Sequence, residues 1–307
     1  MSKKHASESR PNRESRPNRE STRPPGFGRR GRSRAAPPAQ PVALAVAADA
    51  ADFAGLERYG LFGGADYASY LRWTEGRLRV LHGQGLDVHL RVLEPADFEE
   101  FCEEHLLDPG DPVARVAYAA DPELAGEPFR YTGQRLAELL PALREDHLAR
   151  VRISIGCAAL LAAIGWDDRP EARLTAVLQY VSEVCLALAA GAGDGCHGLT
   201  LRSVGLAEGE ELAAATDLCV GSGQLSAGGR GMEAFCVTLA AAVAGYGTGE
   251  LLLRRDGEAH GWALVDGWLC PMSALETEAV LAAVPPDERG DAVARPGFPL
   301  PLQEGEG

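Results

Sequence analysis

The chain reads as an α/β protein: a small three-layer parallel-sheet unit, followed by a helix-rich half with a terminal antiparallel β-meander. Three observations predict this. Strand-like and helix-like apolar periods alternate from residue 41 to about 145. From 146 to 285 the helical period dominates. Within that half, residues 251–272 carry the pairs Asp256-Gly257 and Asp266-Gly267 between apolar runs, the pattern of tight hairpins.

Residues 1–40 come first and carry no such period. They hold a repeated hexapeptide, Glu8 to Arg13 and again Glu14 to Arg19, and then an Arg/Gly stretch around Phe27. This Arg/Pro/Ser-rich composition predicts a disordered basic tail with the charge and stacking ring that suit single-stranded nucleic acid. In the 41–145 unit, Val42 to Ala48 reads as a buried strand and Asp66 as the cap of a helix to about His82. Val88 to Leu93 reads as a second strand, and Glu94-Pro95 opens a helix with Phe98, Phe101, Cys102 and Leu106 on one side. Val113 to Ala119 reads as a third strand before Asp121-Pro122, and a helix follows from Thr132 to Leu143. Beyond it come helices over Ile153–Ile164 and from an Asp168 cap towards Gly191, a strand at Leu199–Val204, a short helix at Glu210–Ala215 and a buried helix at Met232–Gly245. Ser273 with Glu276 is a capping box for a final helix to about Val284, and 286–307 reads as a loose acidic Pro/Gly-rich tail.

Charge and composition remove whole classes of function. The tail holds eleven Lys and Arg against three Glu, whereas the rest holds 19 Arg against 41 acids. An acidic body repels polyanions, so nucleic-acid contact is expected from the tail and protein contact from the body. Both lysines, Lys3 and Lys4, lie in the tail. A phosphate-loop NTPase, a pyridoxal enzyme and a protein kinase each need an amine inside the fold, and the body has none to give. The seven cysteines form no C-x-x-C pair; Cys102, Cys157, Cys185 and Cys236 sit in helical apolar patterns and read as small, unpaired core residues of a cytoplasmic protein. The longest uncharged apolar run, Ala234 to Gly249, is shorter than a bilayer span, so no membrane contact is expected.

Two groups of residues remain as site candidates. Asp49, Glu94 and Asp121 each follow a predicted strand end, with Asp52 one turn on. Parallel strands present such ends along one edge, where carboxylates can hold Mg²⁺ or Mn²⁺ and polarise a phosphoester for hydrolysis. The same residues have a plainer use as helix caps. The Gly-rich loop 221–231 is the other candidate: its amides, with Ser222, Ser226 and Arg230, offer a cradle for a nucleotide or small anion. Cys196 and His197 are adjacent in an extended segment, so they point to opposite faces and cannot pair as a nucleophile and base. The leading expectation is a non-enzymatic regulatory or interaction protein, with the metal phosphoesterase or nuclease second and the anion binder third.

Overall fold

The computed structural model describes residues 41–121, 129–165, 167–204, 211–222, 224–226, 229–284 and 291–301. The basic tail 1–40 and the end of the acidic tail lie outside them. The α/β class holds, in two sheets flanked by helices. In the first, β1 (Val42–Val46) and β2 (Val88–Val92) pair in parallel, and a short β3 (Phe129–Arg130) adds antiparallel to β2. Helices α1 (Ala50–Glu57) and α2 (Tyr67–Gly83) cross from β1 to β2, and α3 (Pro95–Glu104) and α4 (Pro112–Ala120) follow β2.

Here the third strand expected at 113–119 is α4 instead. Its signal was Asp111-Pro112, an acidic cap and a first-turn proline; the Asp111 carboxylate accepts from the Val113 amide at 2.8 Å. Ala114 and Tyr118, one turn apart, are its buried face. Asp121 therefore stands at a helix end, not a strand end.

One helix then crosses the expected division between the halves. In α5 (Leu136–Ile164), Leu136, Leu139, Leu140 and Leu143 belong to the first core, whereas Leu160 and Ile164 belong to the second. From Gln40 onward the chain is one compact unit. Next, α6 (Pro170–Ala192) starts at Pro170 with no side-chain cap; Asp168 does not fill that place, and Asp167 accepts from the Arg169 amide.

The second sheet runs β10-β8-β7-β4-β5-β6, with β9 on β8. Its strands are β4 (Gly195–Val204), β5 (Glu211–Gly221), β6 (Gln224–Ser226), β7 (Thr248–Arg255), β8 (Glu258–Val265), β9 (Trp268–Pro271) and β10 (Val293–Pro296). The meander is present: β7, β8 and β9 join through the two Asp-Gly turns, whose four residues all have positive φ. Strand β5 takes the place of the short helix expected at Glu210–Ala215. The alanine run favours helix, but pairing with β4 and β6 overrides it, and Leu212, Ala214, Leu218 and Val220 alternate inward. The expected loose tail is corrected in part: β10 pairs with β8, and the Trp262 indole donates to the Phe298 carbonyl at 2.8 Å.

Helix α7 (Gly229–Ala244) packs between α5 and the sheet, and α8 (Ala274–Ala283) starts with both hydrogen bonds of its capping box. Gly156 of α5 is where α5 and α7 come closest; a Cβ there would lie 2.8 Å from the Val237 side chain. Helices α5 and α6 each contain an 18-residue stretch long and apolar enough to cross a membrane by length and composition, a test that core helices also pass. An uncharged run misses them because Arg150 and Arg152 interrupt the apolar stretch of α5.

Candidate functional site

Both parallel strands end on helix caps. Asp49 caps α1, one carboxylate oxygen accepting from the amides of Ala51 and Asp52 at 2.9 and 2.8 Å and the other paired with Arg144 at 2.9 Å. Glu94 caps α3 through the Asp97 amide at 2.7 Å. Asp52, one turn into α1, has its pKa raised, first by burial and then by the charges of Asp49 and Glu94. The acids at these two strand ends are therefore near enough to repel. Asp121 does not complete the set: its carboxylate faces His105 at 3.9 Å, and its carbonyl accepts from Arg91. Among the described residues, no three His, Cys, Asp or Glu side chains stand close enough to hold a metal ion.

Beside these caps lies a cleft of about 450 Å³, within the size range of small-molecule sites. Its walls come from β2, α3, α4, α5 and the first turns of α7. Arg91 of β2 donates to the carbonyls of Tyr118 and Asp121, both at 2.8 Å, placing a cation at the negative end of α4. The Tyr118 hydroxyl donates to Asp97 at 2.5 Å, and burial, with that carboxylate beside it, pushes the phenol pKa up. The phenol accordingly stays a donor.

Across the cleft, one carboxylate is gripped from two helices. Arg150, one turn along α5, holds one Asp146 oxygen at 2.8 Å, and Arg230 of α7 holds the other at 2.7 Å. His147 lies beside them with its pKa lowered, burial outweighing the charges of Asp97 and Glu94. Val151 and Ile155 add an apolar wall and are 40% and 45% exposed.

Of the Gly-rich loop, Cys219–Gly221 pairs antiparallel with Gln224–Ser226, Gly221 opposite Gln224, and Ser222 has φ of 52°; residues 223, 227 and 228 lie outside the described residues. Arg230 lines the cleft and Ser222 does not; the Ser226 side chain lies outside the described residues. Sequence reasoning missed Asp97, Tyr118, Asp146, His147 and Arg150. Tyr118 was hidden by reading α4 as a strand, and the rest by lying on the polar sides of helices. It also missed a disulfide between Cys196 and Cys219, directly opposed on β4 and β5. Their separation of 23 residues carries no signal for the bond; the register of β4 and β5 makes it, and Cys157, expected in the core, is exposed. His197 points the other way, buried, with a ring nitrogen 2.9 Å from the Gly193 carbonyl.

Residues 30–134 are similar to one family model. Its description is a domain of unknown function, DUF8829. The matched segment contains Asp49, Asp52, Arg91, Glu94, Asp97 and Tyr118, and it stops short of Asp146, His147, Arg150 and Arg230. Thus one wall of the cleft lies inside the similarity and the opposite wall outside it. No curated protein and no solved structure matches the chain.

Proposed function

We propose that the protein is a non-enzymatic regulatory protein that binds a small organic anion, carboxylate or phosphate, in this cleft, and that its body contacts a protein partner. The convergence of Arg150 and Arg230 on Asp146, beside an apolar wall, carries the ligand reading. Guanidinium forks match the planar oxygens of such anions, and partial burial keeps their charge from being screened. Arg91 adds a third positive charge from the facing strand, and Val151 with Ile155 offers contact to the ligand's carbon frame. Partner contact is supported by the outer sides of α5 and α6, where Leu161 is 68% and Leu186 62% exposed. Hydrolysis at Asp49 and Glu94 has less support, because both carboxylates are committed to amides, and that of Asp49 to Arg144 as well.

Thermal unfolding with inorganic phosphate and with a nucleoside monophosphate tests the ligand reading. Saturating anion stabilises the native state by about 2–3 kcal/mol at a hundredfold excess over Kd. Arg230→Gln abolishes the shift. Asp146→Asn, which keeps the shape and removes a competing negative charge, enlarges it. Stabilisation that survives Arg230→Gln, or no stabilisation of the wild type by either probe, overturns the proposal.

A further inference from the structure

Two cysteines that do not line the cleft lie close together in the second core. Cys185 is on the buried face of α6 and Cys236 on α7, 51 residues later, with their sulfur atoms 3.8 Å apart. A disulfide requires about 2.05 Å between sulfurs, so the two atoms need to approach by less than about 2 Å. Neither thiol is used by the Cys196–Cys219 bond. The two also differ in exposure: Cys185 is buried, whereas Cys236 is partly open to solvent. Only a small oxidant fits such a place.

We propose that Cys185 and Cys236 are an oxidisable dithiol that a peroxide converts into a second disulfide, fixing α6 to α7. The more accessible Cys236 reacts first. Its thiolate sulfur attacks one peroxide oxygen, the O–O bond breaks and hydroxide leaves, giving a sulfenic acid. Cys185 then loses its proton and attacks the Cys236 sulfur; the S–O bond breaks and water leaves as the S–S bond forms. Two electrons pass from the thiols to one peroxide, which ends as two waters. The contact between the two sulfurs favours the same roles: it lowers the Cys236 pKa, while the same contact and burial raise that of Cys185.

Position gives the bond a consequence. Cys236 is one turn past Glu233 and follows Arg230 on α7, and both of those side chains line the cleft. Oxidation therefore immobilises the helix that supplies part of the anion site, although the dithiol chemistry stands independently of that site's ligand.

The test uses the full chain with Cys196–Cys219 intact and with the exposed Cys157 and Cys270 changed to Ser, treated with stoichiometric hydrogen peroxide. Peptide mapping without reduction should show the Cys185 and Cys236 peptides linked with the loss of two hydrogens. Tm should rise by about 5–10 °C. With Cys185→Ser the reaction stops early: a sulfenic acid on Cys236 is trapped by dimedone, and Tm does not rise. Cys236→Ser gives neither the link nor the adduct. The proposal is overturned if Cys185 and Cys236 both remain alkylatable after treatment and denaturation, or if the adduct on Cys236 persists in the presence of Cys185. A Cys185→Ser chain that loses its fold is replaced by Cys185→Ala, read by the same adduct.

Discussion

The two cores are made of different side chains, and the helices around them are held in different ways. Around the first sheet, Phe53, Phe62 and Tyr70 pack ring against ring, as do Phe98, Phe101 and Tyr118. The second core is chiefly Leu, Val and Ala, with Tyr180, Phe235 and Trp262 among them. In the first region the helices are short and pinned by Asp49, Asp66, Glu94 and Asp111. Its phenols also tie helices to strand ends: Tyr67 donates to the Ala48 carbonyl, and the Ala47 amide donates to Tyr70. The two long helices, α5, whose first turns belong to the first core, and α6 begin without a side-chain cap, whereas α8 of the second region has its capping box. Local chemistry sets the starts of the capped helices; the long ones are selected by burial of their apolar faces.

Because α5 serves both cores, breaking it is the strongest way to separate them. Ala149 is buried midway between Leu143 of the first core and Leu160 of the second. Ala149→Pro removes a helical hydrogen bond and clashes with the preceding turn, costing about 3 kcal/mol or more. Urea unfolding followed by near-ultraviolet circular dichroism and by tryptophan fluorescence should then resolve two transitions where the wild type shows one. A single transition that merely shifts would mean the two cores cooperate without α5.

A smaller effect compares the capped and uncapped helices directly. Asp49→Ala and Glu94→Ala should each cost about 1 kcal/mol in urea titration. Asp49→Asn, an equally good cap, should recover most of the first loss. Arg135→Ala and Arg169→Ala, at the cap positions of α5 and α6, should stay within about 0.5 kcal/mol. Equal costs in both regions would erase the distinction. Mg²⁺ stabilisation that Asp49→Asn abolishes would instead restore a metal role for these carboxylates.

What could be read from the sequence is what local chemistry writes, in both regions. The caps at Asp66, Glu94 and Ser273 and the two Asp-Gly turns are local signals, and each marks an element that forms there. Residues 211–221 carry no local punctuation, and their alanines favour the wrong element; only the neighbouring strands decide them. The capping logic applied to Glu94-Pro95 also identifies Asp111-Pro112, and the spacing of Ala114 and Tyr118 fits the helix that follows. The cleft was hardest to see. Its residues come from strand, helix and helix N-terminus, so Arg91, Asp97, Asp146 and Arg230 acquire a common site only through the packing of α5 and α7.

The subtlest difference concerns charge at the first sheet's edge. Burial and the charges of Asp49 and Glu94 raise the Asp52 pKa above 3.8, so the folded state holds that proton more tightly than the unfolded chain does. Stability is then lost as pH rises from 3.8 through the raised value, and the whole cost is present at neutral pH. Asp52→Asn removes the charge while keeping the shape, so it should stabilise the protein at pH 7 by less than about 1 kcal/mol, the modest size that partial exposure allows. That advantage should shrink as pH falls towards 3.8, where the native aspartate is already protonated. Thermal melts of both proteins across this range separate the causes. If instead the variant is less stable at pH 7, the Asp52 carboxylate serves the first turn of α1 more than its neighbours oppose it, and the edge is a capped helix start with no residual strain of charge.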